Sequence, residues 1–223
     1  MKLRPRRKRL NRKCNLSLLC HDIAPAVETL KRGGIVAIPT ESSYGLAVDA
    51  RNETALQRLY QLKQRPQNKP LLVLVSSPVH ILAERLAAAI PSQYESLIAQ
   101  FWPGPLTLVF KADNSVNDII TGGTKTIGVR MSPHRSARAL VEAFGSAITA
   151  TSANISGLAP CVSAEAVVEM FGEGVDCVLD GGRADGLPST LVILGEGRVK
   201  ILREGQISRE VLSQTLSQAD FPH

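Results

Sequence analysis

Three cationic side chains lie close together in the stretch LKQRPQNKP, residues 62–70. Lys63, Arg65 and Lys69 fall between a helical pattern and an apolar run, and the two prolines of the stretch fix their own φ and restrict the residues before them. The cations would therefore be held in a stiff loop. Arginine offers a planar fork to two oxygens and lysine a compact charge, a combination suited to a polyphosphate. The alternative is a solvated charged turn.

A second stretch, TATSANISG at residues 149–157, is rich in small polar residues. Ser152 and Asn154 would follow a strand, and hydroxyl and amide groups at the carboxyl end of a strand are well placed to hydrogen-bond a ligand in an open α/β sheet. A capped turn is the other interpretation of such a cluster.

Hydroxyl groups also follow the first apolar run of the chain, in IPTESSYGL. Thr40, Ser42 and Ser43 could orient a small polar substrate or a phosphate there, and a polar loop beside a buried tyrosine is the alternative.

The stretch TKTIGVR places Thr126 and Arg130 on a predicted strand. An arginine on an otherwise apolar strand needs an anionic partner. That partner is either a carboxylate of the protein or the carboxylate of a substrate.

Alternating helical and apolar patterns must position these side chains. Apolar spacing and capping residues predict helices over residues 23–31, 53–63, 78–89, 91–100, 134–144 and 163–171, and a closing helix after Ser208. Buried strands are predicted in IVAIPT, LLVLV, GPLTLVF, TIGVRM, SAITATS, VDCVLD, STLVIL and VKILRE. This order predicts an α/β fold, with a twisted, mixed, open sheet flanked by helices.

The net charge of +6 belongs to one end of the chain. Residues 1–13 carry eight Lys or Arg and no acid, which leaves 18 basic against 20 acidic residues, or −2, in the remainder. We expect a basic, disordered extension at residues 1–20, one domain over residues 21–217 and a short tail at residues 218–223. The extension could equally be an RNA-contacting arm or a transit peptide.

Several functional classes are excluded by missing motifs. The sequence has no G-x-x-x-x-G-K-[ST] and no G-x-G-x-x-G, so neither a P-loop nor a dinucleotide-binding motif is present. Its four histidines lie far apart, which argues against a catalytic triad or a metal centre, and His134 is interpreted as a helix-capping or surface residue. Four widely spaced cysteines predict free thiols in a reducing cytoplasm. No apolar segment is long enough to span a membrane, so we expect a soluble, cytoplasmic protein.

Taken together, six stretches resemble the YrdC-type threonylcarbamoyl-AMP synthase family. They are PTESSYGLAVDA, LKQRPQNKPL, FWPGPLTLVF, IGVRMSPH, TATSANISG and STLVIL with ILREG. They occur in the family's order and span roughly residues 23–212. The resemblance implies a YrdC-like catalytic domain that condenses L-threonine, bicarbonate and ATP to threonylcarbamoyl-AMP and pyrophosphate, for the threonylcarbamoyl modification of adenosine in tRNA.

The resemblance also implies one concave, positively charged cleft that holds ATP, as its Mg²⁺ complex, beside threonine. The residues it implies are Lys63, Arg65, Ser152 and Asn154 for catalysis, Arg65, Lys69, Thr126, Ser152 and Arg203 for ATP, and Ser42, Arg130 and Ser189 for threonine. It implies partner proteins that pass the threonylcarbamoyl group to tRNA. Two alternatives remain at this point: an RNA-binding module of the same fold, and a paralogue with a different carbamoyl-type substrate.

Overall fold

The computed structural model describes residues 18–216. The predicted basic region at residues 1–13 and the tail at residues 218–223 therefore lie outside the described residues. Within residues 18–216 the chain forms eleven strands and eight α-helices. The helices are α1 (Ile23–Lys31), α2 (Glu53–Lys63), α3 (His80–Ala83), α4 (Ser92–Phe101), α5 (Asp118–Thr121), α6 (Arg135–Phe144), α7 (Ala164–Phe171) and α8 (Arg209–Thr215). The strands are β1 (Leu19–Cys20), β2 (Val36–Pro39), β3 (Tyr44–Ala47), β4 (Leu72–Leu74), β5 (Leu106–Lys111), β6 (Thr126–Arg130), β7 (Ile148–Thr149), β8 (Thr151–Ser152), β9 (Cys177–Leu179), β10 (Thr190–Gly195) and β11 (Arg198–Arg203).

The α/β prediction is confirmed, but the strands form two mixed sheets where one was expected. The first has the order β1-β9-β2-β3-β8 and the second β11-β10-β5-β6-β4-β7. The segment SAITATS is the reason, because its two halves join different sheets. β7 pairs with β4 in the second sheet, and β8 pairs with β3 in the first.

Helix boundaries follow from local capping. The side chain of Asn52 accepts a hydrogen bond from Ala55 N at the start of α2, as its position in the sequence predicts. At the other end, Gln64 has φ 50° and ψ 41°, the left-handed conformation that commonly ends a helix. His134 is the residue before α6, and its Nδ1 accepts a hydrogen bond from Ser136 N at 3.3 Å, which confirms its interpretation as a cap.

Three sequence expectations are corrected. The helix expected over residues 78–89 is only the single turn α3, because Arg85 takes a left-handed φ of 54° and Ala87 forms a β-bridge with Ala112. No strand is predicted from the sequence directly after β2, but β3 lies there and pairs antiparallel with β2. Leu19–Cys20, placed in the N-terminal extension, pairs with β9 and so belongs to the first sheet.

The core lies on both faces of the first sheet. On β2, Ala37 packs in a large cluster with side chains of the second sheet such as Val129, while Val36 packs in a smaller cluster with Leu30 of α1 and Leu140 of α6. This follows from the alternation of side chains along a strand. None of the helices in the described part of the chain is long and apolar enough to cross a membrane.

Candidate active site

A cavity of about 730 Å³ lies against the face of the second sheet that is turned away from the large cluster. On β6, Thr126, Gly128 and Arg130 line the cavity, while the residues between them, Ile127 and Val129, are in the core. The strand period of two thus divides the sheet into a core face and a cavity face. The volume is within the range of sites that enclose a small-molecule ligand.

The structure brings seven of the ten predicted site residues to this cavity. They are Ser42, Arg65, Thr126, Arg130, Ser152, Ser189 and Arg203. The other three, Lys63, Lys69 and Asn154, are not among its lining residues. The three arginines come from the loop after α2, the end of β6 and the end of β11, so the cationic groups converge from separate elements.

Arg130 is held in the wall of the cavity by a carboxylate of the protein. Its side chain is 5% exposed, and its Nη1 lies 3.1 Å from Oε1 of Glu41, whose Oε2 accepts a hydrogen bond from Ser132 Oγ at 2.6 Å. The two side chains attract each other as opposite charges, but their atoms are not aligned for a hydrogen bond. Among the described residues, neither Glu41 Oε1 nor Arg130 Nε has a hydrogen-bond partner. Burial lowers the pKa of the Arg130 guanidinium, with Glu41 opposing and Arg203 adding to the shift. One buried donor of Arg130 therefore has no hydrogen-bond partner among the described residues.

Arg203 and Ser189 form a second polar group in the wall. Nε and Nη2 of Arg203 donate to the backbone oxygen of Ser189 at 3.2 and 2.9 Å. The Ser189 hydroxyl lies 2.9 Å from the hydroxyl of Thr107 on β5. Arg203 is thereby fixed by Ser189, the residue before β10, and Ser189 is in turn held by Thr107 of β5.

The loop that carries Arg65 is stiffened by that arginine. Its Nη2 donates to Pro70 O at 2.8 Å and its Nε to Lys69 O at 3.3 Å, and the hydroxyl of Tyr60 also donates to Lys69 O. The predicted stiff loop is present. Of the cations in this loop, only Arg65 lines the cavity. Lys69 is exposed to solvent and is not among the lining residues.

Lys63 occupies a different position from the one implied by the sequence. It is 1% exposed, and its Nζ donates to the backbone oxygens of Ser152 and Asn154 and to Asn154 Oδ1. Burial lowers its pKa to about 8, and the charge of Arg65 adds to the shift. The ammonium thus holds the turn behind the cavity wall.

That turn positions Ser152. The Ser152 hydroxyl donates to Asn154 Oδ1 at 2.6 Å, and Asn154 Nδ2 donates to Leu158 O at 2.7 Å. Asn154 is itself buried and has no lining position, so it acts through Ser152.

Two kinds of lining residue were not found by sequence reasoning. Asp185 is the acidic side chain among the described residues that line the cavity, and it pairs with Arg183 at 2.7 Å. An apolar floor is formed by Leu72, Val109, Leu191 and Ile193. The floor could have been found from the alternation along β5 and β10, but Asp185 lies in an irregular loop without a periodic signal.

Comparisons with known proteins agree with this geometry. A sequence model of the Sua5/YciO/YrdC family, described as telomere recombination, matches residues 28–205. The threonylcarbamoyl-AMP synthase of Pyrococcus abyssi is 39% identical over 190 residues, which are 85% of this chain and 55% of that protein. The threonylcarbamoyl-AMP synthase of Idiomarina loihiensis is 38% identical over 167 residues, 74% of this chain and 90% of that protein. The crystal structure of P. abyssi Sua5 complexed with L-threonine matches with a TM-score of 0.83 and 38% identity, over 89% of this chain and 58% of that chain.

The chain therefore spans little more than half the length of the Pyrococcus proteins and most of the length of the Idiomarina protein. The family match begins within α1 and covers every residue that lines the cavity, from Thr40 to Arg203. On this sequence match and on the shared fold, the chain belongs to the Sua5/YciO/YrdC family.

Proposed function

We propose that this protein is a threonylcarbamoyl-AMP synthase. It condenses L-threonine, bicarbonate and ATP to L-threonylcarbamoyladenylate, pyrophosphate and water. The observation that carries the proposal is the convergence of Arg65, Arg130 and Arg203 on one cavity, with a buried, unpartnered Nε on Arg130. The names of the relatives and the threonine complex of P. abyssi Sua5 support this choice of substrates.

The threonine carboxylate is the acceptor that suits Arg130. A bound carboxylate would satisfy the Arg130 Nε, and the hydroxyls of Ser42 and Ser189 lie in the same lining. Because Glu41 already balances one positive charge, the site discriminates by hydrogen-bond geometry as well as by charge. We therefore assign threonine to the Glu41 side of the cavity.

The nucleotide is assigned to Arg65, Thr126, Ser152 and Arg203. Their arginines suit the phosphates, and the apolar floor suits the flat face of adenine. Lys69 is withdrawn from this set because it does not line the cavity. Lys63 and Asn154 are assigned to positioning, since both act on the turn that carries Ser152.

Positioning is the main contribution of these residues to the reaction. The amino nitrogen of threonine forms a bond to the carbon of bicarbonate, a C–O bond of bicarbonate breaks, and water leaves with a proton of the amine. An oxygen of the resulting carbamate then attacks the α-phosphorus, the bond from that phosphorus to the bridging oxygen breaks, and pyrophosphate leaves with this oxygen. Holding such reactants in line contributes about 7 to 11 kcal/mol. The arginines stabilise the charge that develops on the phosphates. No histidine is found among the described residues that line the cavity, which fits a reaction carried by positioning and charge.

Mg²⁺ enters as part of the substrate Mg-ATP. Asp185 is the carboxylate among the described lining residues that could contact this ion, whose other ligands would be phosphate oxygens and water. The ion supplies charge neutralisation at the phosphates. We further propose that the enzyme works in the cytoplasm and hands its adenylate to partner proteins that modify tRNA.

Mass-spectrometric detection of the adenylate tests the proposal. Protein, Mg-ATP, threonine and bicarbonate should give threonylcarbamoyl-AMP and pyrophosphate, and omission of any substrate should abolish the product. Arg130→Gln should lose most of this activity, while the matched control Arg138→Gln, on the exposed side of α6, should retain it. ATP binding without any adenylate, or formation of another carbamoyl adenylate in place of the threonine product, would overturn the assignment.

A further inference from the structure

Two cysteines far apart in the sequence meet at the edge of the first sheet. β1 and β9 run parallel with Cys20 opposite Leu179, so Cys20 and Cys177 project from the same face of the sheet. Their Sγ atoms lie 2.8 Å apart across 157 positions of sequence. A disulfide bond has an S–S length of about 2.05 Å, so the two sulfurs must move closer together, and because Cys20 is diagonal to Cys177 across the two strands, β1 would have to shift with its side chain.

The strand that carries Cys20 is weakly held by its backbone. β1 is two residues long and lies at the edge of its sheet. It pairs only with β9 in that sheet, and the continuation of β9 adds a hydrogen bond from Asp180 N to Cys20 O at 2.8 Å. A covalent bond at this point would fix the beginning of the described chain to the body of the protein.

The two thiols differ in a way that assigns them separate chemical roles. Cys20 is partly exposed and Cys177 is 4% exposed, so a solution oxidant reaches Cys20 first. The hydrogen bond from Cys177 lowers the pKa of Cys20, with burial and Asp22 opposing. The pKa of Cys177 is raised by the same hydrogen bond, by burial and by nearby Asp176. Cys20 is therefore the more accessible thiol and the one that ionises more readily, which makes it the first of the two to react.

We propose that Cys20 and Cys177 are a redox modification site, which a hydroperoxide converts to an intramolecular disulfide that ties β1 to β9. The Cys20 thiolate attacks one peroxide oxygen, the O–O bond breaks, hydroxide leaves, and Cys20 becomes a sulfenic acid. The sulfur of Cys177 then attacks the sulfur of Cys20, the S–O bond breaks, and water leaves with the Cys177 proton. The two sulfurs lose two electrons and the peroxide gains them. This proposal is independent of the synthase assignment.

The remaining cysteines serve as controls. Cys161 is buried and its Sγ contacts Met170 Sδ at 3.8 Å, so it has a different neighbour and should stay reduced. Cys14 lies outside the described residues and is retained in the full-length protein.

The test treats full-length protein with hydrogen peroxide, blocks free thiols with N-ethylmaleimide and maps the peptides without reduction. We expect a Cys20–Cys177 linked peptide in the wild type and in Cys161→Ser, the loss of two alkylated thiols, and reversal by dithiothreitol. In Cys177→Ser the reaction should stop at a Cys20 sulfenic acid that dimedone traps, and Cys20→Ser should form neither product. Hydrogen exchange at the Asp180 amide, which bonds to Cys20 O, should slow in the oxidised form. The proposal would be refuted if Cys20 and Cys177 were both still alkylated by N-ethylmaleimide after peroxide treatment. A dominant link to Cys14, to Cys161 or between two molecules would also refute it.

Discussion

Replacing Lys63 with methionine should remove a pH dependence of folding stability that its burial creates. The pKa of the folded side chain is lowered from its ordinary value of 10.5 to about 8. The unfolded chain therefore holds this proton more tightly than the folded chain does. Burying the charged form of Lys63 destabilises the folded protein. This loss of stability is absent above pH 10.5 and grows as the pH falls to about 8.

The size of the effect follows from the same pKa values. The difference between 10.5 and about 8 corresponds to about 3 kcal/mol between the two protonation states. Raising the pH from about 7 to about 9.5 deprotonates the folded side chain and leaves the unfolded one charged, which recovers about 2 kcal/mol of that amount. The wild type should gain this much in its free energy of unfolding relative to Lys63→Met.

Urea unfolding over this pH range measures the difference between the two proteins. The comparison is needed because other groups also titrate: burial raises the pKa of Tyr44 to about 12, which destabilises the folded state at high pH in either protein. Lys69→Met removes an exposed cation from the same loop and serves as the control. If the difference in free energy of unfolding between the wild type and Lys63→Met is the same at the two pH values, the burial argument is refuted.

Two further predictions concern the polar contacts around β6 and α6. Glu41→Gln should lower the free energy of unfolding by about 3 to 5 kcal/mol, because it leaves the buried Arg130 charge without its carboxylate; urea titration measures the loss, with exposed Glu95→Gln as control. Burial lowers the pKa of His134 below 6.5, and the charge of Glu41 opposes this shift. The neutral ring that caps α6 is therefore present above pH 6.5, and the stability that the cap contributes is lost as the pH falls through the pKa of His134 in the folded protein. His134→Asn should keep the cap and lose this acid sensitivity in thermal melts, and an unchanged acid profile would contradict the capping role.

Local signals predicted the helices well. α1 and α2 have the predicted boundaries because each boundary is set by a signal close to it in sequence: a pair of glycines follows α1, and the N-cap Asn52 precedes α2. Arg65 and Arg130 were indicated as candidates by their own segments, a stiff loop and an apolar strand where an anion would compensate the charge, whereas Arg203 was indicated only by the resemblance.

Long-range arrangement was not predictable from the same signals. SAITATS has small and β-branched residues throughout, so nothing in it indicates that Ala150 separates a strand of one sheet from a strand of the other. Likewise, the segment before β4 shows that Lys63 and Arg65 are charged but does not indicate which way their side chains point. Those directions depend on contacts with residues 152–154, far away in the chain.

The separation of Lys63 from Arg65 has a local cause in the residue between them. Gln64 is in the left-handed conformation with φ 50°, which ends α2 and reverses the path of the chain within one residue. Lys63, still in the helix, directs its ammonium to Ser152 O and Asn154 O, while Arg65, beyond the turn, reaches the cavity. In a continuous helix, residues 63 and 65 would also point to different faces, but residue 65 would still belong to the helix and would not lie in the loop. Of these two cations, Lys63 therefore holds the turn behind the cavity wall and Arg65 lines the cavity, and Gln64 is the residue that separates them.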